Sequence, residues 1–147
     1  MKKMTIILLI IGLLVAAGYC SGYFQSDEDK IENRMNEFLT AYNAGDIKSV
    51  LESLDAKTRN TYSAYMNVGN ALIGLSGFGL EVSDLFALGI SLSDGQTLSF
   101  EDMKITLLSD TKASVSVIMY YQEYQNKYSQ RVQFSLIKEN NDWYICG

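Results

Sequence analysis

A chain of 147 residues, 48% of them hydrophobic, can build one domain around a real core and is too apolar for disorder to describe its body. The formal charge is −5 and no basic run follows Lys2-Lys3, so a phosphate-tracking surface, and with it nucleic acid as a partner, is not expected. The chain has no histidine and no proline, which excludes His-based acid–base chemistry, Ser-His or Cys-His nucleophiles, His metal sites and Pro-rich linkers.

The N-terminus, "MKKMTIILLIIGLLVAAGYCSGYFQSDEDK", opens on two lysines and is then uncharged from Met4 to Ser26. Its apolar run fits a signal peptide, and its full uncharged length is just enough for a membrane anchor, so residues 1–22 are expected to be one or the other. Basic residues before the run and Asp27-Glu28-Asp29 after it favour an extracytoplasmic body, either secreted or held at the cell membrane through this segment. Cys20, in "AGYC", resembles the lipidated cysteine of a bacterial lipobox and is the candidate lipidation site, although Tyr19 stands where that motif wants a small residue. A bridge from Cys20 to Cys146 requires Cys20 to remain on the exported chain, and two unreactive thiols are the expected state.

The body, residues 27–147, begins with a helix marked at both ends. Ser26 and Asp29 make a capping-box pattern, Gly45 supplies the stop, and Ile31, Met35, Phe38, Leu39 and Tyr42 share one face. Asp46 is placed to cap a short second helix with Ile47, Val50, Leu51 and Leu54 inward, and Asp55 to cap a third, "AKTRNTYSAYM". The uncharged "NVGNALIGLSGFGL" has neither the length for a membrane span nor the order of a nucleotide loop; close packing of a helix or bend accounts for its glycines. "EVSDLFALGISL" resumes helical periodicity, and "SDGQ" predicts a turn.

From there the period becomes two. Met103, Ile105 and Leu107, then Val115, Val117, Met119 and Tyr121, then Val132, Phe134 and Leu136, then Trp143 and Ile145 alternate with polar residues. Turns at "SDT", "QN" and "NN" join four strands into an antiparallel meander, and Phe100, out of phase with Met103, predicts a bulge near Glu101-Asp102. Strands following helices argue α+β, with the helices on one face of the sheet.

"MYYQEYQNKYSQ" concentrates four tyrosines in one hairpin. A turn centred on Gln125-Asn126 pairs Met119 with Val132, Val117 with Phe134 and Val115 with Leu136, so apolar residues meet on one face. That register sets Tyr120 outward against Arg131 and turns Tyr121 and Tyr128 inward, beside Glu123 and Gln130. Tyr42, Tyr121, Glu123, Tyr128, Gln130 and Trp143 are therefore the expected rim of a pocket between helices and sheet, with strand filler as the structural alternative for the tyrosines.

"FLTAYNAGD", the short helices after it and the terminal "FSLIKENNDWYI" together resemble the nuclear-transport-factor-2-like superfamily, the cone-shaped α+β fold of ketosteroid-isomerase-like and SnoaL-like domains. The resemblance implies helices laid on a curved four-stranded meander, and a family that includes small exported proteins without known roles. It departs from some members in placing a long helical, glycine-rich segment where they carry early strands. Enzymes of the superfamily use a carboxylate base and phenolic or acidic donors in the cone, for which Asp84, Asp102, Tyr42 and Tyr121 are the candidates here. None falls in a matching motif, so no catalytic residue, cofactor or metal is assigned. The function expected is an exported, membrane-tethered, non-catalytic binding domain for a small molecule, peptide or protein partner; the alternative is an isomerase- or hydratase-type enzyme. Outward Ile118, Tyr120, Ile137 and Tyr144 suggest a homodimer through the sheet.

Overall fold

In the computed structural model the described residues are 25–75, 81–85, 97–123 and 126–147, less the side chains of 72–75, 122 and 123. The expected export segment with Cys20, most of "EVSDLFALGISL" and the turn expected at 93–96 lie outside them. Helices α1 (Asp27–Asn43), α2 (Ile47–Glu52) and α3 (Ala56–Leu75) precede strands β1 (Ser99–Ser109), β2 (Lys112–Glu123), β3 (Asn126–Glu139) and β4 (Asp142–Cys146). The strands form one antiparallel sheet in the order β1-β2-β3-β4, so the α+β class and the meander both hold. No helix among the described residues is long and apolar enough to cross a membrane.

Local chemistry sets the helix ends. Asp29 N donates to Ser26 Oγ (3.1 Å) and Ser26 N to Asp29 Oδ2 (3.2 Å), a reciprocal box that satisfies two orphan donors of α1. Gly45, at φ 69°, supplies the left-handed backbone that stops it. Asp46 accepts from Ser49 N (3.1 Å) at the start of α2, and Asp55 from Thr58 N (3.4 Å) at the start of α3. Helix α3 continues beyond "AKTRNTYSAYM" into the uncharged stretch as far as Leu75. Gly69 is needed there, because a Cβ would come within 2.6 Å of Val82 Cγ2, and Asn70 Oδ1 accepts from Val82 N at 2.7 Å beside it.

The predicted bulge is present. Glu101 pairs with Ile118 but Lys104 with Ser116, and Asp102 takes up the extra residue at φ 48°. This returns Phe100 and Ile105 to the same face, where both pack against the core. Asn140 and Asn141, at φ 50° and 71°, turn β3 into β4 with the paired positive φ that a two-residue hairpin wants.

The hairpin register differs from the expected one by two residues. Met119 pairs with Gln130, Val117 with Val132, Val115 with Phe134 and Ala113 with Leu136, and the strands close at Glu123–Asn126. A two-residue shift leaves every side chain on its expected face, so alternation alone does not distinguish the two registers. The observed one brings Ala113, buried, opposite Leu136 and lines Tyr121 up with Tyr128. Tyr120 consequently faces Ser129, and the expected Tyr120–Arg131 pair does not form. Arg131 faces Ile118 and instead reaches Asp102 (2.6 Å) and Ser116 (3.2 Å) across the outer face.

Ile31 and Met35 of α1, Leu54, and Ala113, Val115, Val117, Leu136, Trp143 and Ile145 of the sheet make the core, with Phe38, Phe100 and Phe134 packed against it. Trp143 is its largest fully buried side chain. Its indole N–H donates to Asp27 Oδ1 (3.1 Å), and the same carboxylate accepts from Lys138 Nζ at 2.7 and 3.0 Å. These bonds, Lys138 first and Trp143 second, hold the Asp27 carboxyl below its ordinary value of 3.8. A depressed pKa contributes stability that is present above the unfolded value and is lost as pH falls through the folded one. Asp27→Asn should therefore cost about 1 kcal/mol at pH 7, and urea melts of variant and parent should converge as pH falls through the lowered Asp27 value. An undiminished gap at low pH would show that the charge contributes nothing.

Candidate functional site

Alternation puts Tyr121 and Tyr128 on the helix-facing side of β2 and β3, and register places them directly opposite. Their rings stack, with centroids 5.4 Å apart and planes 21° from parallel. Tyr121 is half-buried and Tyr128 is 41% exposed, and neither hydroxyl makes a hydrogen bond with a described residue. Beside the pair is a cavity of about 340 Å³ bounded by Thr97, Ser99, Glu101, Tyr120, Tyr121 and Lys127. A flat aromatic pair with two phenols can hold a ligand, whereas the cavity beside it is lined mainly by outer-face residues, Glu101 and Lys127 among them.

Of the other expected rim residues, Gln130 and Glu123 flank the pair along β3 and β2, while Tyr42 and Trp143 are elsewhere. Gln130 faces Met119 with its side chain exposed, and Glu123 closes the ladder opposite Asn126 while its side chain lies outside the described residues. Tyr42 stacks on Phe38 (6.4 Å), which meets Phe134 edge-on (6.3 Å), which in turn packs on Phe100 (5.8 Å). That aromatic chain crosses the middle of the inner face, roughly 20 Å along β3 from Tyr128 at strand rise. Trp143 pairs with Lys138, roughly 30 Å from Tyr128 by the same measure, and is buried. The six residues thus occupy three separate places, because a 14-residue strand is too long for one pocket to reach both its ends.

Neither candidate carboxylate faces the core. Asp102 lies on the outer face, where the Arg131 guanidinium above all, then Lys104, holds its carboxyl below the usual range. Asp84 is exposed and accepts from Glu81 N (2.8 Å) within its own helical turn. Among the described residues no group of three or more Asp, Glu, Cys or His is placed to hold a metal.

A second cavity, of about 470 Å³, opens where α3 starts beside the end of β4 and is bounded by Asp55, Thr58, Tyr62, Tyr65 and Cys146 among others. Asp55 is 6% exposed, and its Oδ1 has no hydrogen-bond partner. Sequence marks Asp55 only as a cap; its burial follows from the contact of 53–55 with β4, which no local pattern signals. Cys146 is a free thiol, pushed up first by burial and then by the Asp55 charge, so it stays protonated at neutral pH. A broader cleft of about 770 Å³ runs along polar faces of α1 and α2.

Because Tyr128 stands beyond the core and Phe134 within its aromatic chain, their truncations should separate. Tyr128→Ala should cost less than about 1 kcal/mol and Phe134→Ala about 3 kcal/mol in urea unfolding. Equal losses would mean that the hairpin end is part of the core.

No family model matches the chain, and no curated protein does. Among solved structures it is similar to an NTF2-like protein of unknown function from Shewanella oneidensis MR-1, at a TM-score of 0.52 and 13% identity over 82% of this chain and 94% of that one. It also aligns with a SEC-C motif-containing protein from Rhodopseudomonas palustris (TM-score 0.45, 13% identity, 74% of this chain and 68% of that one). A third match is a Campylobacter jejuni protein named for the NTF2-like transpeptidases (TM-score 0.42, 16% identity, 79% and 96%). The fold is NTF2-like.

Proposed function

We propose that this NTF2-like chain is a non-catalytic binding domain held outside the cytoplasmic membrane, and that it meets its ligand or partner through the Tyr121–Tyr128 pair. The supporting observation is that stacked pair, whose hydroxyls make no hydrogen bond with any described residue, at the end of an otherwise packed inner face. Strand filler needs no open phenols; a contact surface uses them, since tyrosine offers apolar area and a polar tip together. The exposure of Tyr128 on a strand end favours a peptide or protein segment lying across the hairpin.

The isomerase or hydratase alternative has less support, because Asp84 and Asp102 are both engaged away from the inner face. A homodimer through the outer face likewise has less support than the sequence suggested. Ile118, Tyr120, Ile137 and Tyr144 are each half-buried by their neighbours, and Arg131–Asp102 and Gln133–Ser114 hydrogen bonds interrupt them.

A photo-crosslinking residue at position 128 should yield a discrete adduct in intact cells, and one at the outward position 133 should not. Adducts at 133 alone would overturn the assignment of the surface. Tyr121→Phe should leave stability within about 0.5 kcal/mol and reduce adduct formation from position 128. External protease should digest the body on spheroplasts; complete protection would rule out the extracytoplasmic reading.

A further inference from the structure

The cavity at the start of α3 is bordered by Asp55, whose Oδ1, closed off behind it, is the one buried side-chain polar atom of the described residues that lacks a hydrogen bond. The other oxygen, Oδ2, accepts a long bond from Thr58 N (3.4 Å), and Asp55 forms no ion pair with a described residue, although Lys57 also borders the cavity. An ionised carboxylate so deeply buried and half-satisfied is unfavourable by more than a surface group would be, and what relieves it is an N–H donor carrying positive charge. Tyr62 and Tyr65, three residues apart on α3 and 51% and 70% exposed, border the same cavity. A buried carboxylate and two exposed phenol rings bordering one cavity are the ingredients by which proteins grip ammonium and guanidinium groups.

We propose that this cavity binds a cationic nitrogen group, an ammonium or guanidinium such as a lysine or arginine side chain presents, with Asp55 as the counter-ion and Tyr62 and Tyr65 as the aromatic wall. The proposal is independent of the tyrosine hairpin, which lies at the other end of β3. The N-terminal end of α3 repels a cation with about half a unit charge, and the full charge of the capping carboxylate outweighs it. Because Oδ1 is closed off from bulk solvent, the ligand's N–H has to be inserted beside it, and Cys146 and Gly147, which border the cavity, should respond with Thr58.

The probes are N-acetyl-lysine amide and N-acetyl-arginine amide, with uncharged N-acetyl-norleucine amide as the control, titrated into isotope-labelled protein. Both cationic probes should move the amide signals of Thr58, Cys146 and Gly147 saturably, and the norleucine probe should not. Asp55→Asn keeps a good helix cap and the side-chain shape, so the chain should still fold, yet affinity should fall about tenfold. Tyr65→Ala, at an exposed position, should weaken binding about threefold. Tyr128→Ala should leave the titration unchanged, so failure here and failure of the hairpin reading remain distinguishable. The proposal is overturned if Asp55→Asn binds as well as the parent, if the norleucine probe binds equally, or if no saturable shift occurs.

Discussion

The fold depends on closing the open edge of a five-residue strand. β4 is paired with β3 on one side only, and on the other its backbone groups would face either water or another chain. Two segments supply partners. Ile145 N donates to Ser53 O (3.0 Å), Ile145 O accepts from Asp55 N (2.9 Å), and Trp143 O accepts from Arg34 Nε (2.8 Å). The Arg34 guanidinium then lies 5.0 Å from the Tyr144 ring centre and also reaches Glu37 at 2.8 Å. One short strand is thereby fastened to α1, to the α2–α3 junction and to β3.

That closure is what allows Trp143 and Ile145 to be core residues. An indole buries roughly 200 Å², worth about 5 kcal/mol at 25 cal/mol per Å². The Asp27–Lys138 ion pair above it still reaches solvent, its side chains 28% and 20% exposed, and contributes of order 1 kcal/mol. Burial therefore provides the stabilisation, while Asp27 serves chiefly to satisfy an indole N–H that would otherwise be costly to bury. The opposite end of the sheet has no comparable anchor among the described residues, and there the inner face ends in two tyrosines with open hydroxyls. The aromatic residues thus form a gradient, from a sealed indole through a packed ring chain to an accessible pair.

The same closure creates the second feature. Drawing residues 53–55 against β4 buries Asp55 while it is also needed to cap α3. Its carboxylate meets one demand and leaves an oxygen over, next to a helix whose Tyr62, Tyr65 and Val68 remain exposed. A polar group kept buried without a partner is stable only if the surrounding fold over-determines its position, and two backbone bonds to Ile145 do so here.

Much of the fold was legible from short-range chemistry. Ser26 with Asp29, Gly45, Asp46 and Asp55 marked helix ends because capping is decided within four residues, and the phase break at Phe100 marked a bulge because strand alternation has a period of two. Those signals fixed which face each side chain takes. They did not fix which partner it meets, since moving β3 by two residues preserves every face; the tertiary structure chose the register that sets Val117 on Val132 and Tyr121 on Tyr128. They likewise grouped Trp143 with Tyr121 and Tyr128 because all face inward, whereas distance along a long strand separates them. The sequence by itself determined element type, order and facing, all properties of neighbours in the chain. Only the tertiary structure decided register, the closing of β4 and the burial of Asp55, because each depends on contacts between segments far apart in sequence.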